Sequence, residues 1–354
     1  MTSAENYSDA PSYDAIVGAG LLDTVGVTIA QVLAGPRCVI ITDANVVPLF
    51  GDRVRESLAA AGFQPGLIAI PPGERSKTLE QVGLICDQLV ADGLDRQSFV
   101  VGLGGGVIGD ISGFVASIYH RGISHVQIPT TLLAMVDSSI GGKTGVNTDA
   151  GKNLLGAIHH PALVLDDVDV LATLPAREFN QGFAEIIKHA IIADAPMFDA
   201  LRNVDRTDLV PLIRRNIEIK AGIVATDEMD RTGGRALLNF GHTVGHAIES
   251  AGQYREFLHG EAVSLGIVAA ATISIKKAGL ARPQRDAIID LLSTFDLPTR
   301  LPPHFPREKI FDALPFDKKF ERGQIRFVVT PGIGSAQLAG DITMEDIREA
   351  VDQL

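Results

Sequence analysis

Residues 99–110, FVVGLGGGVIGD, join an apolar strand to a helix through a run of glycines. Backbone N–H groups in such a turn, together with the N-terminus of the following helix, bind phosphate groups. Gly104, Gly106 and Gly109 fit the spacing GxGxxG, although the same pattern arises where a glycine turn serves only for packing. It lies about a hundred residues into the chain, whereas the usual dinucleotide fingerprint lies in the first βα unit. We predict an α/β fold with a candidate phosphate-binding turn.

The alternation of strand and helix extends on both sides of this turn. Short β-branched runs, among them RCVIITD, GLIAIPP, HVQIPT and ALVLDD, lie between residue 37 and about residue 170. Helix-periodic segments near 51–61 and 78–92, and after about 107, separate them. This alternation is typical of βαβ units and a largely parallel sheet.

The pattern changes after Leu171, where TLPAREFNQGFAEIIKHAII and most later segments are helix-periodic and strand-like content returns only at IRFVVT. Thr173 is expected to cap the first of these helices, with Pro175 in its first turn. A chain of 354 residues also exceeds the roughly 250–300 at which one core stops growing. We therefore predict an α/β domain over residues 1–172 and a mainly α-helical domain over residues 173–354, with the active site at their junction.

Charge and hydropathy exclude several classes of protein. The net charge of −12 argues against non-specific nucleic-acid binding, so an anion site would be a local cluster of cations. Residues 1–12 have no basic apolar leader, and no apolar stretch approaches the roughly 18 residues of a membrane span. Two cysteines, Cys38 and Cys86, give no disulfide framework. We expect a soluble cytoplasmic protein without nucleic-acid or membrane partners.

An unusual polar stripe lies in residues 235–249, RALLNFGHTVGHAIE. On a single helix its polar members would fall within about 80° of one another, with apolar residues on the other faces. Burying such a stripe without partners would cost several kcal/mol, so we expect it to face a metal or a charged ligand. Gly241 and Gly245 each cost about 1 kcal/mol inside a helix, which indicates a close approach to the backbone. The stripe consists of Arg235, Asn239, His242, His246 and Glu249.

A second helix carries a candidate metal ligand. Glu185 and Lys188 lie three residues apart in EFNQGFAEIIKHA, a spacing that on its own indicates only an intrahelical ion pair. A carboxylate with two imidazoles is, however, a typical catalytic zinc set. His242 supplies one imidazole, and the spacing leaves His246 and His259 open as the second.

Further polar residues suit a polyanionic ligand. IPTTLLAMVDSSIGGKTGVN, residues 128–147, is not a Walker P-loop, because position 137 is Asp where the motif needs glycine. Its glycines would permit a tight turn that brings Lys143 to a phosphate or carboxylate. Asp43, at the end of a strand, is a candidate ribose partner. Other candidates are Asn45, Glu74, Lys77, Lys152, Asn153, Lys220, Lys318 and Lys319.

Taken together, GGGVIGD, PTTLLAMVDSSIGGKTGVN, GKNLLGAIHHP, TLPAREFNQGFAEIIK, RALLNFGHTVGHAIE and LHGEAVSLG resemble the 3-dehydroquinate synthase family of sugar-phosphate cyclases. They run in the family's order over nearly the whole chain. The resemblance implies a Rossmann-like NAD-binding domain, a C-terminal helical metal- and substrate-binding domain, one divalent metal (Zn²⁺ or Co²⁺) and a homodimer.

The resemblance also implies residue roles. The metal ligands would be Glu185, His242 and His259. NAD would be held by Asp43, Asn45, Glu74, Lys77, Gly105, Gly106, Val107, Asp110, Thr130, Thr131, Leu133, Asp137, Ser138, Lys143, Lys152, Thr173, Leu174 and Glu178. Catalysis would rest on Lys143, Lys188, Lys220, Arg235, Asn239 and His246, and further substrate contacts on Asp137, Arg121, Lys152, Asn153, Lys318 and Lys319.

The chemistry that the resemblance implies converts 3-deoxy-D-arabino-heptulosonate 7-phosphate to 3-dehydroquinate and phosphate. Transient oxidation by NAD precedes phosphate elimination, re-reduction, ring opening and an intramolecular aldol closure. One departure is that the segment from Lys220 to Arg235 is a residue longer than the family pattern, with Asp230 and Arg231 where a Glu is expected. Three alternatives remain open: an aminodehydroquinate synthase, another sugar-phosphate cyclase, and an NAD- and metal-dependent polyol dehydrogenase.

Overall fold

The computed structural model describes residues 13–148, 151–227, 233–314, 320–321 and 324–354. They divide into two compact units. The first extends to Leu174 and also includes Leu209–Ile217; the second comprises Pro175–Asp208 and Glu218–Leu354. Because Leu209–Ile217 returns to the first unit, a single cut along the chain does not separate the two.

A six-stranded parallel sheet forms the centre of the first unit, which confirms the predicted α/β architecture. Its strands are rich in β-branched and other apolar residues, and those of the central strands are almost fully buried. Along the sheet the order is β1 (Asp14–Gly18), β8 (Leu163–Asp167), β5 (Ser124–Pro129), β4 (Phe99–Gly104), β2 (Arg37–Asp43) and β3 (Gln64–Ile70).

Helices cover this sheet where the periodic segments predicted them. Thr78 caps the third helix by accepting a hydrogen bond from the Gln81 N–H at 3.2 Å. A core of buried aliphatic side chains, among them Val39, Val100 and Ile111, packs between strands and helices. The helices are α1 (Val25–Ile29), α2 (Asp52–Ala60), α3 (Leu79–Ala91) and α4 (Gly106–Ile118).

An antiparallel hairpin replaces the tight turn expected at GGKTG. The glycines make only its entrance, since Gly141 and Gly142 have φ values of 95° and 67°. Lys143 then begins a strand, and the residues that follow it pair antiparallel with a second strand. The two strands are β6 (Lys143–Thr148) and β7 (Gly151–Ile158).

The second unit is mainly helical, as predicted. Its helices are α5 (Ala176–Ala193), α6 (Ala195–Ala200), the second part of α7 (Val210–Ala225), α8 (His242–Ala251), α9 (His259–Lys277), α10 (Arg282–Thr294), α11 (Arg307–Ala313) and α12 (Met344–Val351). Two short hairpins accompany them: β9 (Phe320–Glu321) with β10 (Gln324–Ile325), and β11 (Phe327–Gly332) with β12 (Ser335–Ala339). No helix among the described residues is long and apolar enough to span a membrane.

The predicted cap of α5 is wrong. Thr173 ends a 3-10 helix, Val168–Thr173, and its hydroxyl donates to the Val170 carbonyl at 2.9 Å. Leu174 and Pro175 are extended, so the Thr173 side chain is too far back along the chain to cap the helix. Pro175 occupies the N-cap position itself.

The single helix predicted over residues 235–249 is also wrong. Residues Gly234–Asn239 form a 3-10 helix, and α8 starts at His242 after a break at Gly241, whose φ is 80°. A Cβ on Gly241 would lie 2.9 Å from the backbone nitrogen of Ile267 in α9. The chain breaks here because α9 packs against the bare backbone.

Candidate active site

Two glycines of the turn after β4 have different roles: one allows a helix to pack closely, and the other leaves backbone exposed to a ligand. A Cβ on Gly104 would lie 2.6 Å from an Ile108 side-chain carbon, so this glycine lets α4 pack against its strand. Gly106, the first residue of α4, faces differently, because its Cβ would lie 2.9 Å from the Ser138 hydroxyl. That hydroxyl is buried and has no hydrogen-bond partner within the described ranges. A bare helix N-terminus beside an unsatisfied hydroxyl suits a phosphate group.

The predicted NAD residues cluster at one edge of the sheet. Asp43 ends β2, Glu74 follows β3, Gly105 follows β4 and Thr130 follows β5. Since the strands are parallel, their carboxyl ends lie along the same edge, where ligands of open α/β sheets bind. These residues therefore fit the dinucleotide that the resemblance implies.

Five of the predicted residues form a polar network beside this edge, and among them only Lys77 is buried. The ammonium of Lys77, which is 4% exposed, contacts the carboxylate of Asp110 and lies 2.6 Å from Asn153 Oδ1. Lys152 lies 3.6 Å from Glu74, which also accepts a hydrogen bond from Asn147 at 2.8 Å. Asn147 thus belongs to the network, although its sequence context did not predict a ligand for it.

Other predicted residues of the first unit lie in the loops and helix starts that follow the strands. Asp43 accepts hydrogen bonds from the N–H groups of Asn45 and Val46 at 2.8 and 3.2 Å, which fixes the loop after β2. Thr130 donates its N–H to the Gly104 carbonyl at 3.0 Å, and the Thr131 hydroxyl accepts from the Ala134 N–H. Val107 lies in the first turn of α4, and Leu133, Asp137 and Ser138 lie in or next to a π-helix, Ala134–Ser138.

Several predicted residues are not brought into these clusters. Arg121 is exposed beyond the C-terminal end of α4, about 20 Å along the helix from Gly106 at 1.5 Å per residue. Lys143 is exposed at the start of β6. Thr173 and Leu174 end the first unit, and Glu178 accepts a hydrogen bond from Gln181 on α5. Lys318, Lys319, Asp230 and Arg231 lie outside the described residues.

A carboxylate and two imidazoles converge in the second unit. Glu185, on α5, is completely buried. Its Oε1 lies 3.3 Å from Nε2 of His242, the first residue of α8, and 3.5 Å from Nε2 of His259, the first residue of α9. One ligand atom from each lies within 4.8 Å of the other two. The three residues predicted to bind the metal are therefore within reach of one cation.

Each imidazole has an oxygen atom close to its other ring nitrogen. Nδ1 of His242 lies 3.2 Å from the Phe240 carbonyl oxygen, and Nδ1 of His259 lies 3.4 Å from Oε2 of Glu249. An acceptor at Nδ1 favours the tautomer that leaves the Nε2 lone pair available to a metal. Both histidines therefore present the ligand atom of a Glu–His–His zinc site.

Burial and the neighbouring charges shift the pKa values of all three residues of the cluster. Burial opposes the charge on Glu185, but Lys188 and the imidazoles hold the pKa of its carboxyl well below the usual range. Burial lowers the pKa of His242. Burial also disfavours protonation of His259, but Glu249 and Glu185 outweigh it and raise its pKa to about 10.

Helices α5 and α9 are locked together next to these ligands. The Gln181 side chain, one turn before Glu185, accepts the Gly260 N–H at 3.1 Å. A Cβ on Gly260 would lie 2.1 Å from the Gln181 carbonyl oxygen. Arg177 binds both oxygens of Glu261 at 2.6 and 2.7 Å. No spacing in the sequence predicted these contacts, and their only signal was a glycine directly after a histidine.

Other predicted catalytic residues are buried cations of the second unit. Lys188 pairs with Glu185 and is 1% exposed, so it is more than the solvated ion pair that its spacing indicates. Lys220 and Arg235 are buried on α7 and in the 3-10 helix. Asp227 accepts the N–H groups of Gly233 and Gly234 at 2.7 and 3.0 Å, which holds the start of that helix. Asn239 ends the 3-10 helix, and the His246 ring lies 5.3 Å from that of His242.

Two solved structures share this architecture. ValA, a 2-epi-5-epi-valiolone synthase from Streptomyces hygroscopicus subsp. jinggangensis 5008 with NAD⁺ and Zn²⁺ bound, matches with a TM-score of 0.88 at 32% identity, covering 100% of this chain and 98% of that one. A 2-deoxy-scyllo-inosose synthase complexed with carbaglucose-6-phosphate, NAD⁺ and Co²⁺ matches with a TM-score of 0.90 at 25% identity, covering 99% and 100%. The chain therefore has the two-domain fold of these sugar-phosphate cyclases.

Sequence comparison identifies the family within that class. The family descriptions "3-dehydroquinate synthase N-terminal" and "3-dehydroquinate synthase C-terminal" match residues 67–181 and 182–320. A 3-dehydroquinate synthase from Caulobacter vibrioides (strain NA1000 / CB15N) is 46% identical over 348 residues, which cover 94% of this chain and 93% of the relative. The chain belongs to the 3-dehydroquinate synthase family, as its motifs predicted.

Proposed function

We propose that the protein converts 3-deoxy-D-arabino-heptulosonate 7-phosphate to 3-dehydroquinate and phosphate. The observation that carries this proposal is the convergence of Glu185, His242 and His259 in a chain that matches 3-dehydroquinate synthases over most of its length. The reaction is an elimination of phosphate followed by carbocycle closure, so the enzyme is a carbon–oxygen lyase. It would serve aromatic biosynthesis in the shikimate pathway.

Two cofactors belong to the proposal. NAD⁺ would accept and return a hydride within one turnover, and a divalent cation, Zn²⁺ or Co²⁺, would polarise the reacting hydroxyl and ketone. Glu185, His242 and His259 would hold the cation. The glycine turn at Gly105 and Gly106, with the hydroxyl of Ser138, would hold the dinucleotide phosphates, as their bare backbone and unsatisfied oxygen suggest.

The chain's own cations would bind and orient the substrate. Lysine ammonium and arginine guanidinium groups form charge-assisted hydrogen bonds to phosphate and carboxylate. Burial of Lys188, Lys220 and Arg235 strengthens such contacts, because water screens buried charges less. The proposed cations are Arg121, Lys143, Lys152, Lys188, Lys220, Arg235, Lys318 and Lys319, and the other proposed substrate contacts are Asp137, Asn153, Asn239 and His246.

A homodimer is part of the proposal as well. Leu154 and Leu155 are 42% and 39% exposed on β7. In the described residues β7 pairs only with β6, so its other edge is open to a strand from a second copy. Light scattering after size-exclusion chromatography would give twice the chain mass if the proposal is right, and the chain mass if it is wrong.

The test of function is phosphate release from the heptulosonate phosphate with NAD⁺ far below the substrate concentration. Turnover should exceed the amount of NAD⁺ many times, with no lasting absorbance from NADH, and should stop after a chelator removes the metal. Sustained NADH formation from a polyol would instead identify a dehydrogenase. Activity only with the amino analogue of the substrate, or only with a sugar phosphate that lacks the carboxylate, would identify a different cyclase.

A further inference from the structure

Glu249 lies behind the proposed metal site, on the far side of one of its ligands. The two ring nitrogens of His259 face two different carboxylates: Nε2 lies 3.5 Å from Glu185 Oε1, and Nδ1 lies 3.4 Å from Glu249 Oε2. The imidazole therefore lies between the carboxylate of Glu185, which faces the cation position, and the carboxylate of Glu249, which does not. Glu249 lies on α8, seven residues after His242, so the helix that supplies one metal ligand also supplies the acceptor for another.

Burial argues that this carboxylate has a specific partner. The Glu249 side chain is 3% exposed, whereas the His259 side chain is 30% exposed. A buried carboxylate costs several kcal/mol unless it is paired and hydrogen-bonded. The His259 imidazole, at the first position of α9, needs an external contact to hold its ring in one orientation. The contact between Glu249 and His259 offers a charged partner to the carboxylate and an orienting contact to the imidazole.

The arrangement at His242 provides an internal comparison. Its Nδ1 faces the Phe240 carbonyl oxygen at 3.2 Å, and its Nε2 faces Glu185. The two imidazoles therefore share one design, in which a backbone carbonyl orients the first and a side-chain carboxylate orients the second. Acceptors of this kind fix the tautomer and increase the basicity of metal-bound histidines.

We infer that Glu249 is a positioning residue, which holds the Nδ1–H of His259 and so aims its Nε2 at the cation bound by Glu185 and His242. The inference rests on the proposed function, because it presupposes that these residues hold a metal. Glu249 does not itself touch the cation. A competing arrangement exists, since ligand atoms of His246, Glu249 and His259 also lie within 4.8 Å of one another and could bind a second ion directly.

The test is a zinc titration of the full chain after metal removal, in competition with a chromogenic chelator. Glu249→Leu should weaken zinc binding about 10–100-fold, and Glu249→Gln, which retains an acceptor oxygen, should weaken it less. Glu256→Gln is the matched control, because the Glu256 carboxylate in the same unit faces the imidazole of His304 at 3.1 Å and is not one of the candidate ligand groups. Its zinc affinity should remain within about twofold of wild type.

The visible spectrum of the cobalt-loaded protein gives a second readout. Loss of the Glu249 carboxylate should shift the d–d bands, because the orientation and basicity of the His259 ligand change; Glu256→Gln should not shift them. Unchanged zinc affinity and unchanged bands in both Glu249 variants would overturn the inference, and so would a fall from two bound ions to one.

Zinc binding by the variants distinguishes a failure of the proposed function from a failure of the role of Glu249. If wild-type protein binds no zinc, the proposed function fails, and the role of Glu249 fails with it. If His242→Ala loses zinc but a folded Glu249→Gln and Glu249→Leu keep it at wild-type affinity, only the role of Glu249 fails. Should Glu249→Leu not fold, the affinity and bands of Glu249→Gln alone decide.

Discussion

Gly266 on α9 packs directly against the backbone of Gly241, so closely that a Cβ on Gly266 would lie 1.9 Å from the Gly241 carbonyl oxygen. Because both clashing groups are backbone, neither can move aside without displacing its helix. Gly266→Ala should therefore destabilise the protein by about 3 kcal/mol and weaken metal retention, because His242 directly follows Gly241. Thermal unfolding and metal content would measure both effects.

Gly222→Ala is the matched control for that substitution. Gly222 also lies inside a helix, α7, but nothing lies within 4 Å of an added Cβ. Here alanine should stabilise by up to about 1 kcal/mol, the usual helix-propensity gain. Equal effects at the two positions would contradict the close packing of α8 on α9.

Lys77→Met tests the polar network around Lys77 in the first unit. The substitution leaves Asp110 without its cation, and removing one partner of a buried ion pair typically costs about 3–5 kcal/mol. We expect the lower part of that range, since the Asp110 side chain is 18% exposed, together with weaker NAD⁺ binding by calorimetry. Arg55→Met removes an exposed pair with Asp52 and should change stability by less than about 1 kcal/mol. A stable Lys77→Met with wild-type NAD⁺ affinity would argue against the network.

His125 should make the protein sensitive to acid. Its imidazole is fully buried in β5, and burial, with His159 and His160 nearby, lowers its pKa to about 3. Between pH 6.5 and about 3 the unfolded chain binds a proton that the folded chain excludes, so stability falls as the pH falls. The loss between pH 6.5 and 4.5 should be about 2–3 kcal/mol.

Denaturant unfolding of His125→Leu at those two pH values checks this account. The variant should lose less stability on acidification than wild type, by about the same 2–3 kcal/mol. His304→Leu, at an imidazole whose side chain is 77% exposed, should retain the wild-type loss. If His125→Leu and wild type respond alike, burial of a neutral imidazole is not the cause.

Adjacent buried carboxyl groups should respond in opposite ways to the same substitution. Asp167 accepts hydrogen bonds from the N–H groups of Gly20, Leu22 and Asp169 at 3.0, 2.9 and 3.1 Å. Asp166 has no hydrogen-bond partner within the described residues, and burial raises the pKa of its carboxyl well above the usual range. Its contribution to stability is therefore present at low pH and lost as the pH rises through the folded-state pKa.

Asp166→Asn should stabilise the protein at pH 8 by about 1–2 kcal/mol, because the amide cannot ionise. Asp167→Asn should destabilise it by about 1–3 kcal/mol, since the amide nitrogen would face an N–H donor in either orientation. Chemical denaturation at pH 5 and pH 8 distinguishes the two, and the benefit at Asp166 should shrink at the lower pH. Destabilisation by both substitutions would refute the assignment for Asp166.

The parallel sheet was predictable because its evidence is local. Each strand from β2 to β5 is a short β-branched run bounded by helical periodicity, and parallel strands buried on both faces keep that pattern clear. The strand β1 and the β6–β7 hairpin were not predicted. Residues 143–148 show no alternation of buried and exposed positions, so no local pattern indicates β6, and long-range pairing decides where such segments lie.

The metal ligands were predictable in type but not in geometry. A uniform helix over residues 235–249 explained the spacing of the polar stripe, and it failed at Gly241, where tertiary packing against α9 overrides local periodicity. Spacing alone also could not separate His246 from His259, because His259 lies on another helix. The contact from Glu249 to His259 joins residues on α8 and α9 that no local pattern relates.

The most direct test of the central claim is the metal content of the purified protein, measured by inductively coupled plasma mass spectrometry after extensive dialysis. The account predicts about one equivalent of a divalent metal per chain in wild type and almost none in His242→Ala, with both proteins folded by circular dichroism. An unchanged metal content in His242→Ala would contradict the convergence of Glu185, His242 and His259 on a single cation.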